Sequence, residues 1–297
     1  MTIKIIGIVG SGMMGSGIAQ HLAQYHYQVV MHEPDKKIID KALDNIYSNL
    51  LKLVRKGKIS KHENDNTVKN IYGTDDINEL KKCDIIIEAV NENIDIKNDV
   101  FQKLDDVCPS TTIFASNTSS LSITELAAAT SRADRFLGLH FFNPVSKMPL
   151  VEVVKTITLD LKTLDTCLQF VKSIDKISII AKDNAGFIVN YLLLSFMLNA
   201  ISMFEDGKAS INDIDNGMKF GCNHPVGPIM LADFIGLDTI LYSANRMYDE
   251  FKSEKFAPPP ILHKVVTMGY LGKKTKHGFY NWSDPNNPIV SEMFSGQ

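Results

Sequence analysis

Two adjoining apolar segments within residues 137–154 carry an imidazole and a carboxylate. His140 closes the run LGLH, and Glu152 lies among four aliphatic residues in LVEVV. Burying an unpaired carboxylate is costly, so Glu152 needs a proton or a partner, and His140 is the nearest candidate. A carboxylate bound to one imidazole nitrogen fixes the tautomer and makes the other nitrogen a better base, as removal of a proton from a secondary alcohol requires. A pair that only joins two strands fits these residues equally well.

A glycine-rich turn offers a second kind of chemistry. The sequence GSGMMG directly follows the apolar run KIIGIV and precedes an amphipathic segment. In a strand–turn–helix context, Gly10 permits the tight turn, Gly12 leaves room for a pyrophosphate, and Gly15 lets the helix pack closely on the strand. Met13 and Met14 would open the helix, whose N-terminal end favours phosphate. We therefore expect these five residues to contact a dinucleotide cofactor.

An acidic residue, Glu33, follows the next apolar run, QVVMH, 23 residues after Gly10. At the end of a second strand, a carboxylate accepts hydrogen bonds from the ribose of NAD and repels the 2′-phosphate of NADP. Glu33 therefore indicates NAD, and the nearby basic residues His32 and Lys36 weaken this preference without reversing it. The alternative is that Glu33 is a solvated loop residue.

The composition excludes several classes of protein. The chain has 297 residues, 44% hydrophobic and 22% charged, and its formal net charge of −3 offers no general attraction for nucleic acid or an anionic membrane. Its four cysteines lack a CxxC pair, which predicts neither a disulfide framework nor a metal site. The residues before the first apolar run do not resemble a targeting peptide, so none is expected, and no segment approaches the about 20 apolar residues of a membrane span. We expect a cytoplasmic protein with no metal, nucleic-acid or membrane partner.

Alternating short and long segments predict the fold. Short apolar runs, typical of strands buried on both faces, occur at 4–10, 28–32, 83–90, 111–117, 135–142, 150–154 and 177–182. Longer segments with helical spacing separate most of them. This alternation predicts an α/β, Rossmann-type, mostly parallel sheet over residues 1–183. Residues 184–297 begin with a dense apolar stretch of helical spacing at 185–204 and are expected to form an all-α C-terminal domain.

Two further polar groups follow or interrupt apolar segments. SNTSS, at 116–120, would lie at the carboxyl edge of the sheet, where open α/β folds bind ligands. Its side chains could hydrogen-bond a nicotinamide or a substrate oxygen, or one of its serines could cap the next helix. Asn190 lies within the apolar segment NAGFIVNYLLL, where an unpaired amide would be costly. It therefore needs a partner, either in a cleft or on the backbone.

A basic run, LKLVRKGK, ends the amphipathic segment that follows Glu33. One interpretation is a solvated helix end whose cations complement the helix dipole. The other is a site for a polyphosphate, in which Lys52, Arg55 and Lys56, with Lys58 beside them, act as point anchors. Composition alone leaves both interpretations open.

Six motifs, spread in order over the whole chain, are specific enough to indicate a family. They are GSGMMG at 10–15, SNTSSL at 116–121, GLHFFNPVxxMxLVEVV at 138–154, DNxGFIVN at 183–190, HPVGPIxLADFIGLD at 224–238 and GKKTKHGFY at 272–280. Together they resemble the 3-hydroxyacyl-CoA dehydrogenases, in particular the short, stand-alone 3-hydroxybutyryl-CoA dehydrogenases of bacteria. The resemblance implies NAD as cofactor, a short-chain (S)-3-hydroxyacyl-CoA as substrate, and a C-terminal domain that contributes to the substrate cleft and forms a homodimer.

The resemblance also implies roles for residues at matching positions. His140 matches the catalytic base, and Glu152 matches the carboxylate paired with it. Ser119 matches the serine that contacts the substrate oxygen, and Asn190 matches the asparagine that helps hold the reacting thioester. Under this interpretation His140 takes the proton of the 3-hydroxyl group while hydride passes to the nicotinamide, reversibly, and a 3-oxoacyl-CoA results.

Contacts to the cofactor and to coenzyme A follow from the resemblance in the same way. Residues that match cofactor-contacting positions are Glu92, Lys97, Asn117, Asn143 and Lys274. The basic run with Lys52, Arg55 and Lys56 then resembles the coenzyme A end of the substrate groove.

Three positions depart from the pattern of the resembled family. Where PGFxxNR is usual, this chain has Ala185 in place of the proline and Tyr191 in place of the arginine. Where KTGxGFY is usual, Lys276 replaces a glycine. Loss of the proline removes a fixed φ, and the replaced glycine could have adopted a positive φ. The departures leave the pair of His140 and Glu152 in place.

Two other functions fit parts of the pattern. A catalytically silent, NAD-binding homologue with a structural or sensing role would have no need for a costly buried ion pair. A β-hydroxyacid dehydrogenase that acts on a free acid would commonly use a lysine base and would need no coenzyme A. Turnover of acetoacetate, or of a free hydroxy acid, distinguishes these alternatives.

Overall fold

A sheet with helices on both faces forms the first of two units into which the chain divides, Met1–Phe187 and Ile188–Gln297. The structure, a computed structural model, describes residues 3–295. Within them, the strands of this sheet are β1 (Ile5–Val9), β2 (Gln28–His32), β3 (Ile71–Thr74), β4 (Ile85–Glu88), β5 (Ile113–Ser116), β6 (Phe136–Phe141), β7 (Leu150–Lys155) and β8 (Ile177–Lys182). The helices of the first unit are α1 (Met13–Gln24), α2 (Lys36–Arg55), α3 (Lys61–Lys69), α4 (Ile94–Val107), α5 (Ile123–Ala128) and α6 (Leu161–Ser173).

The order of the strands indicates where the sheet would bind a ligand. They lie in the order β3-β2-β1-β4-β5-β6-β7-β8, and in the described part of the chain every neighbouring pair is parallel except β6 and β7. The direction in which strands are added reverses between β1 and β4, and open α/β sheets bind ligands at the carboxyl ends of the strands at such a point. The predicted Rossmann-type, mostly parallel sheet followed by a helical region is confirmed.

The central strands are apolar along their length because both of their faces are covered. Ile85 and Ile87 of β4 belong to a core that also contains residues of α1, α2 and α6. Ile86, between them, lies in a second core with Phe101 and Phe114. Successive side chains of a strand point to opposite faces, so one continuous apolar run supplies both cores. Each fully buried side chain of this size contributes about 1.5–3 kcal/mol.

Two elements, α3 and β3, are not predicted from the sequence, because their apolar patterns are short or weak. β3 has four residues, lies at the edge of the sheet, is mostly exposed or half-buried, and contains Gly73. α3 begins after Ser60, whose hydroxyl accepts the amide of Glu63 while the Glu63 carboxylate accepts the amide of Ser60. This capping box, rather than an apolar stripe, marks the start of the helix.

The second unit is helical, as predicted, and carries a short hairpin. Its elements are α7 (Val189–Glu205), α8 (Ile211–Asn216), α9 (Pro228–Ile235), α10 (Leu237–Phe251), α11 (Pro260–Thr267), β9 (Tyr280–Asn281) and β10 (Ile289–Val290). The fully buried Asp233 of α9 holds the hairpin, because it accepts hydrogen bonds from Phe279 N, Tyr280 N and Trp282 Nε1 at 3.0, 2.8 and 2.9 Å. Burial raises the pKa of Asp233 to about 6.

The prediction of a helix from residue 185 onward is wrong at its start. Gly186 and Phe187 have φ angles of +76° and +48°, and α7 begins only at Val189. A right-handed helix excludes positive φ, so the apolar pattern runs on through residues that the helix does not include.

Membrane-spanning helices, metal-binding clusters and cysteine pairs are also subjects of the sequence predictions, and the structure bears on each. Among residues 3–295, no helix has both the length and the apolar character that a membrane span needs. In the same range, no cluster of three or more His, Cys, Asp or Glu side chains is arranged to hold a metal ion. The four cysteines are free thiols, and three of them are buried.

Candidate active site

The glycine loop joins β1 to α1 at the carboxyl edge of the sheet. Gly10 has a φ of +99°, and a Cβ on Gly15 would lie 1.9 Å from the carbonyl oxygen of Gly10, so neither position tolerates a side chain. A Cβ on Gly12 would meet open space. Gly12 is the N-cap of α1 and gives no side-chain acceptor to the first amides, which leaves these amides and the positive helix end for a phosphate. The side chain of Met14 packs on the core, whereas that of Met13 is exposed.

Glu33, after β2, lies beside this loop. Its Oε2 accepts a hydrogen bond from the amide of Ser11 at 3.2 Å, so the carboxylate is held at the turn. The hydroxyl of Ser11 is buried and has no hydrogen-bond partner among the described residues, which leaves it for a polar group of a ligand. The open space at Gly12, the held carboxylate and the free hydroxyl fit a dinucleotide.

A groove of about 720 Å³ adjoins the glycine loop. Its lining includes Gly12 and Met13 of the loop, Asn143 of the segment between β6 and β7, and Lys52 and Lys56 of the basic run. Arg55, at the end of α2, is exposed and is not part of this lining in the described structure. The groove therefore offers cations and polar groups to a large anionic ligand.

His140 and Glu152 lie directly opposite each other on the antiparallel strands β6 and β7. The Nδ1 atom of His140 is 2.7 Å from Oε2 of Glu152, so the expected contact is present. His140 is 6% exposed and Glu152 is fully buried. Because Nδ1–H donates to the carboxylate, the other ring nitrogen, Nε2, carries the lone pair in the neutral imidazole.

Aromatic rings lie beside this imidazole. The ring centroids of Phe142 and Phe187 are 4.5 and 5.7 Å from that of His140. Apolar surroundings lower the local dielectric constant, and the attraction between an imidazolium and Glu152 is stronger there than in water. The arrangement suits a general base whose protonated form is stabilised by a neighbouring carboxylate.

The SNTSS segment after β5 is fixed by hydrogen bonds. Asn117 Oδ1 accepts the amide of Phe141 at 2.9 Å and so joins the ends of β5 and β6. Ser119 donates to Oε1 of Glu92 through its amide at 3.0 Å and its hydroxyl at 3.4 Å. The N-cap of α5 is Ser122, so the alternative that a serine of SNTSS caps this helix is wrong.

Lys97 supports Glu92 from inside the protein. Its ammonium is almost fully buried and lies 2.5 Å from Oε1 of Glu88, 3.3 Å from the carbonyl of Val90 and 3.4 Å from Oε2 of Glu92. Burial acts to raise the pKa of Glu92, but the Lys97 ammonium and the hydrogen bonds from SNTSS outweigh it and hold that pKa below its usual value. The ammonium thus donates hydrogen bonds to Glu88 and to the carbonyl of Val90 and forms an ion pair with Glu92.

Glu88 is a residue of this site that the sequence analysis missed. It is the last residue of β4, and its carboxylate is fully buried. Its signal in the sequence is the one that Glu152 gives, a carboxylate within an apolar run, here CDIIIEAV. The apolar run predicts a strand, and its carboxylate, once buried, needs a partner as Glu152 does.

The remaining predicted residues lie in the second unit. Asn190 is the second residue of α7 and is half-buried. The Nζ atom of Lys274 is 2.5 Å from Oδ1 of Asp238, in a partly exposed ion pair. The first unit therefore contains every other predicted site residue.

The three departures from the family pattern have visible local consequences. Lys276 adopts a φ of +63°, the conformation expected for a glycine at this position. Tyr191 packs against Phe251 and Phe256, and its hydroxyl accepts a hydrogen bond from Lys255, whose ammonium lies 4.1 Å from the tyrosine ring centroid. A tyrosine–lysine pair thus stands where the resembled family has an arginine. At the third position, Ala185 is buried.

Comparison with known proteins identifies the family. Residues 5–184 match the family described as 3-hydroxyacyl-CoA dehydrogenase, NAD binding domain, and residues 186–282 match its C-terminal domain. The chain is 43% identical over 278 residues to 3-hydroxybutyryl-CoA dehydrogenase of Clostridioides difficile, covering 94% of this chain and 99% of the relative. It is 40% identical over 287 residues to the mitochondrial hydroxyacyl-coenzyme A dehydrogenase of Homo sapiens, covering 94% and 91%.

A solved structure gives the same result. The crystal structure of (S)-3-hydroxybutyryl-CoA dehydrogenase from Ralstonia eutropha matches with a TM-score of 0.93 and 41% identity, over 95% of this chain and 100% of that one. The fold, the glycine loop with Glu33, and both domain matches agree. The chain therefore belongs to the 3-hydroxyacyl-CoA dehydrogenase family, NAD-dependent oxidoreductases that act on CH–OH groups.

Proposed function

We propose that this protein oxidises (S)-3-hydroxyacyl-CoA thioesters to 3-oxoacyl-CoA with NAD, reversibly, and that its substrate is a short-chain ester such as 3-hydroxybutyryl-CoA. The observation that carries the proposal is the 2.7 Å contact between His140 Nδ1 and Glu152 Oε2, at the sheet edge that also bears the glycine loop. The names of the relatives from C. difficile and R. eutropha, both 3-hydroxybutyryl-CoA dehydrogenases, support the short acyl chain.

His140 acts as the general base in this proposal. Glu152 holds Nδ1–H, so Nε2 accepts the proton of the substrate's 3-hydroxyl group, and the carboxylate then stabilises the imidazolium. NAD, when bound, supplies the acceptor for the hydride that leaves C3 of the substrate. The alcohol loses one proton and one hydride and becomes a ketone. In the reverse direction the imidazolium of His140 returns the proton.

Two further residues are proposed to hold the substrate. Ser119 contacts the reacting oxygen, and its amide is fixed by Glu92 at 3.0 Å, so its hydroxyl starts from a defined position. Asn190 helps hold the thioester, and its place in the motif DNxGFIVN supports this role. Preorganised donors of this kind stabilise charge that develops on oxygen in the transition state.

The cofactor is proposed to lie along the edge of the sheet in the first unit. The amides of Met13 and Met14 would receive its diphosphate, and Glu33 would accept hydrogen bonds from a ribose, which favours NAD over NADP. The other positions that match cofactor contacts are proposed on their motifs, and they are Glu92, Lys97, Asn117, Asn143 and Lys274.

The groove of about 720 Å³ is the proposed site of coenzyme A. Lys52 and Lys56 line it, and their ammonium groups suit the phosphates of this substrate. Arg55 belongs to the same basic run, and its contact with coenzyme A stays a prediction.

The direct test follows NADH consumption with acetoacetyl-CoA, with longer 3-oxoacyl-CoA esters and with NADPH in place of NADH. We expect turnover with acetoacetyl-CoA and NADH, and a His140→Gln variant should keep its fold and NADH affinity while kcat falls by about 10²–10⁴. Near-normal kcat in this variant would refute the role of His140.

The same assay separates the alternatives. Turnover of acetoacetate without coenzyme A would favour an enzyme of free acids. NADH binding without turnover of any of these substrates would favour a silent homologue with a structural or sensing role.

We further propose a homodimer formed through the helical unit. Three large apolar side chains of this unit are well exposed, Leu192 at 62%, Phe220 at 76% and Phe234 at 59%, and exposed apolar surface often marks an interface. Sedimentation equilibrium should then give about twice the 33.1 kDa mass of one chain. A mass of 33.1 kDa at micromolar concentration would contradict the dimer. The free thiols fit the proposed cytoplasmic location.

A further inference from the structure

A second buried carboxylate lies at the sheet edge that bears the glycine loop. Glu88 pairs in register with Val9 of β1 and Ser116 of β5 and is fully buried. Its Oε1 accepts hydrogen bonds from Lys97 Nζ at 2.5 Å and Val90 N at 2.7 Å, and its Oε2 accepts one from Ser116 Oγ at 2.6 Å. Burial raises the pKa of Glu88, and the Lys97 ammonium is the largest influence that opposes it.

Lys97 links Glu88 to Glu92. The ammonium is 1% exposed and contacts both carboxylates, at 2.5 and 3.4 Å, together with the carbonyl of Val90. The ammonium thus lies among three oxygens of the protein, and turning to another group would lose one of these contacts. Of its two carboxylate partners, Glu88 is the closer, at 2.5 Å against 3.4 Å for Glu92. Glu88 therefore has the larger part in fixing the position of the ammonium.

Glu92 in turn holds the segment that carries Ser119. While its Oε2 faces Lys97, its Oε1 accepts hydrogen bonds from Thr118 Oγ1 at 2.5 Å, Ser119 N at 3.0 Å and Ser120 Oγ at 3.3 Å. Three consecutive residues thus depend on the orientation of one carboxylate.

A second route joins Glu88 to the same segment. The hydroxyl of Ser116 donates to Glu88 and accepts the amide of Thr118 at 3.2 Å. Glu88 therefore reaches the segment both through Lys97 and Glu92 and through Ser116.

We propose that Glu88 is a positioning residue of the active site. It fixes Lys97 and Ser116, which fix Glu92 and the 116–120 segment, so that Ser119 meets the reacting oxygen of the substrate in one orientation. This inference rests on the proposed function, because it gives Ser119 a substrate to meet. A displacement of about 1 Å in a positioned group costs on the order of 10²-fold in rate, so a remote anchor can matter for turnover.

The test compares Glu88→Gln with the wild-type enzyme. The variant keeps the size of the side chain but removes the charge that holds Lys97. We expect kcat with acetoacetyl-CoA at saturating NADH to fall by about 10- to 100-fold, and the amides of residues 118–120 to exchange hydrogen faster. A merely structural role would lower the unfolding temperature and leave kcat of the folded enzyme unchanged.

Asp105→Asn is the matched control. Asp105 lies on α4, as Lys97 does, and forms a partly buried ion pair with Arg132 at 2.6 Å. Its loss should destabilise the protein without changing kcat or hydrogen exchange at 118–120. If Glu88→Gln does not fold, Ser116→Ala removes only the second route and should show a smaller loss of the same kind.

A double variant tests whether Glu88 acts through Ser119. If it does, adding Glu88→Gln to Ser119→Ala should lower kcat no further, because residues that act as one unit are not additive. Fully additive losses, or normal kcat with unchanged exchange at 118–120 in folded Glu88→Gln, would overturn the proposal. If the wild-type enzyme turns over no acyl-CoA, the proposed function fails. In that case hydrogen exchange alone tests whether Glu88 positions residues 118–120. Faster exchange at these residues in Glu88→Gln would support this role, and unchanged exchange would overturn it.

Discussion

Glu88 and Glu152 are carboxylates in strands whose neighbouring residues are aliphatic. Each has a basic partner, Lys97 at 2.5 Å and His140 at 2.7 Å. Buried ion pairs add little to stability, since well-packed apolar residues of similar size often replace them without loss. Stability alone therefore gives little reason for either pair, and what the pairs orient, an imidazole in one case and a serine segment in the other, gives a physical reason for both.

Lys276 is one of the non-glycine residues of the second unit whose φ is positive. Its φ of +63° follows the 3₁₀ turn Lys273–Thr275, and a side chain in this conformation costs about 1–2 kcal/mol, part of which the greater freedom of an unfolded glycine offsets. We expect Lys276→Gly to stabilise the second unit by about 0.5–1 kcal/mol. Trp282, the only tryptophan in the chain, is buried in this unit, so its fluorescence during urea unfolding reports the change.

Lys276→Ala is the control for this prediction. Alanine removes the long side chain but keeps the Cβ, so the backbone strain should persist and the urea midpoint should stay close to that of the wild type. Equal stabilisation by alanine and glycine would show that charge or side-chain packing, rather than φ, is responsible.

Among the helices and strands, those that are buried on both faces could be predicted best from the sequence. The central strands are covered on both faces and appear in the sequence as continuous apolar runs, whereas β3 pairs only with β2 at the edge and has no such run. The start of α7 was mispredicted because apolar spacing continues through Gly186 and Phe187, whose positive φ depends on tertiary structure.

The same limit applies to the candidate site. His140 and Glu152 lie on consecutive strands joined by a short connection, so their contact could be expected from the sequence. Lys97 follows Glu88 by nine residues but meets it only because α4 returns to the end of β4. The apolar periodicity of the sequence predicts that β4 and α4 exist. It does not predict that Glu88 and Lys97 come into contact.

His21 makes the docking of α1 sensitive to acid. It is 7% exposed, its Nε2 lies 3.0 Å from the carbonyl of Ile174, and burial, with the nearby Lys176, lowers its pKa from 6.5 to about 4. Between these values the unfolded chain binds more protons than the folded one, so stability falls as the pH falls. We expect this histidine to cost about 3 kcal/mol of stability between pH 7 and pH 4.

A His21→Gln variant isolates that contribution. Glutamine retains a donor for the carbonyl of Ile174 but does not titrate, so the difference in unfolding free energy between wild type and variant should shift by about 3 kcal/mol over the same pH interval. Urea unfolding followed by far-UV circular dichroism at several pH values gives this difference. Parallel pH profiles for the two proteins would exclude His21 as the acid-sensitive group.

The charge of the whole molecule opposes the substrate that we propose. With a formal net charge of −3, the chain as a whole repels a polyanion such as coenzyme A, so affinity has to come from cations placed in the groove. Lys52 and Lys56 line the groove together with the glycine loop. Their effect should be local, because exposed charges are screened beyond about 10 Å at 0.1 M salt.

Reversing one of these cations separates the local effect from the global one. Lys52→Glu should raise the KM for acetoacetyl-CoA by about 5- to 30-fold and leave kcat nearly unchanged, since an exposed ion pair contributes up to about 1 kcal/mol and reversal adds a repulsion of similar size. Lys69→Glu, at the exposed end of α3 and outside the groove lining, changes the net charge equally and should leave KM within about twofold. Raising the salt concentration should reduce the difference in KM between Lys52→Glu and the wild type, because salt screens both the attraction that is lost and the repulsion that is introduced. Equal effects of the two reversals would mean that the field of the whole protein, and not a cation in the groove, governs binding of the substrate.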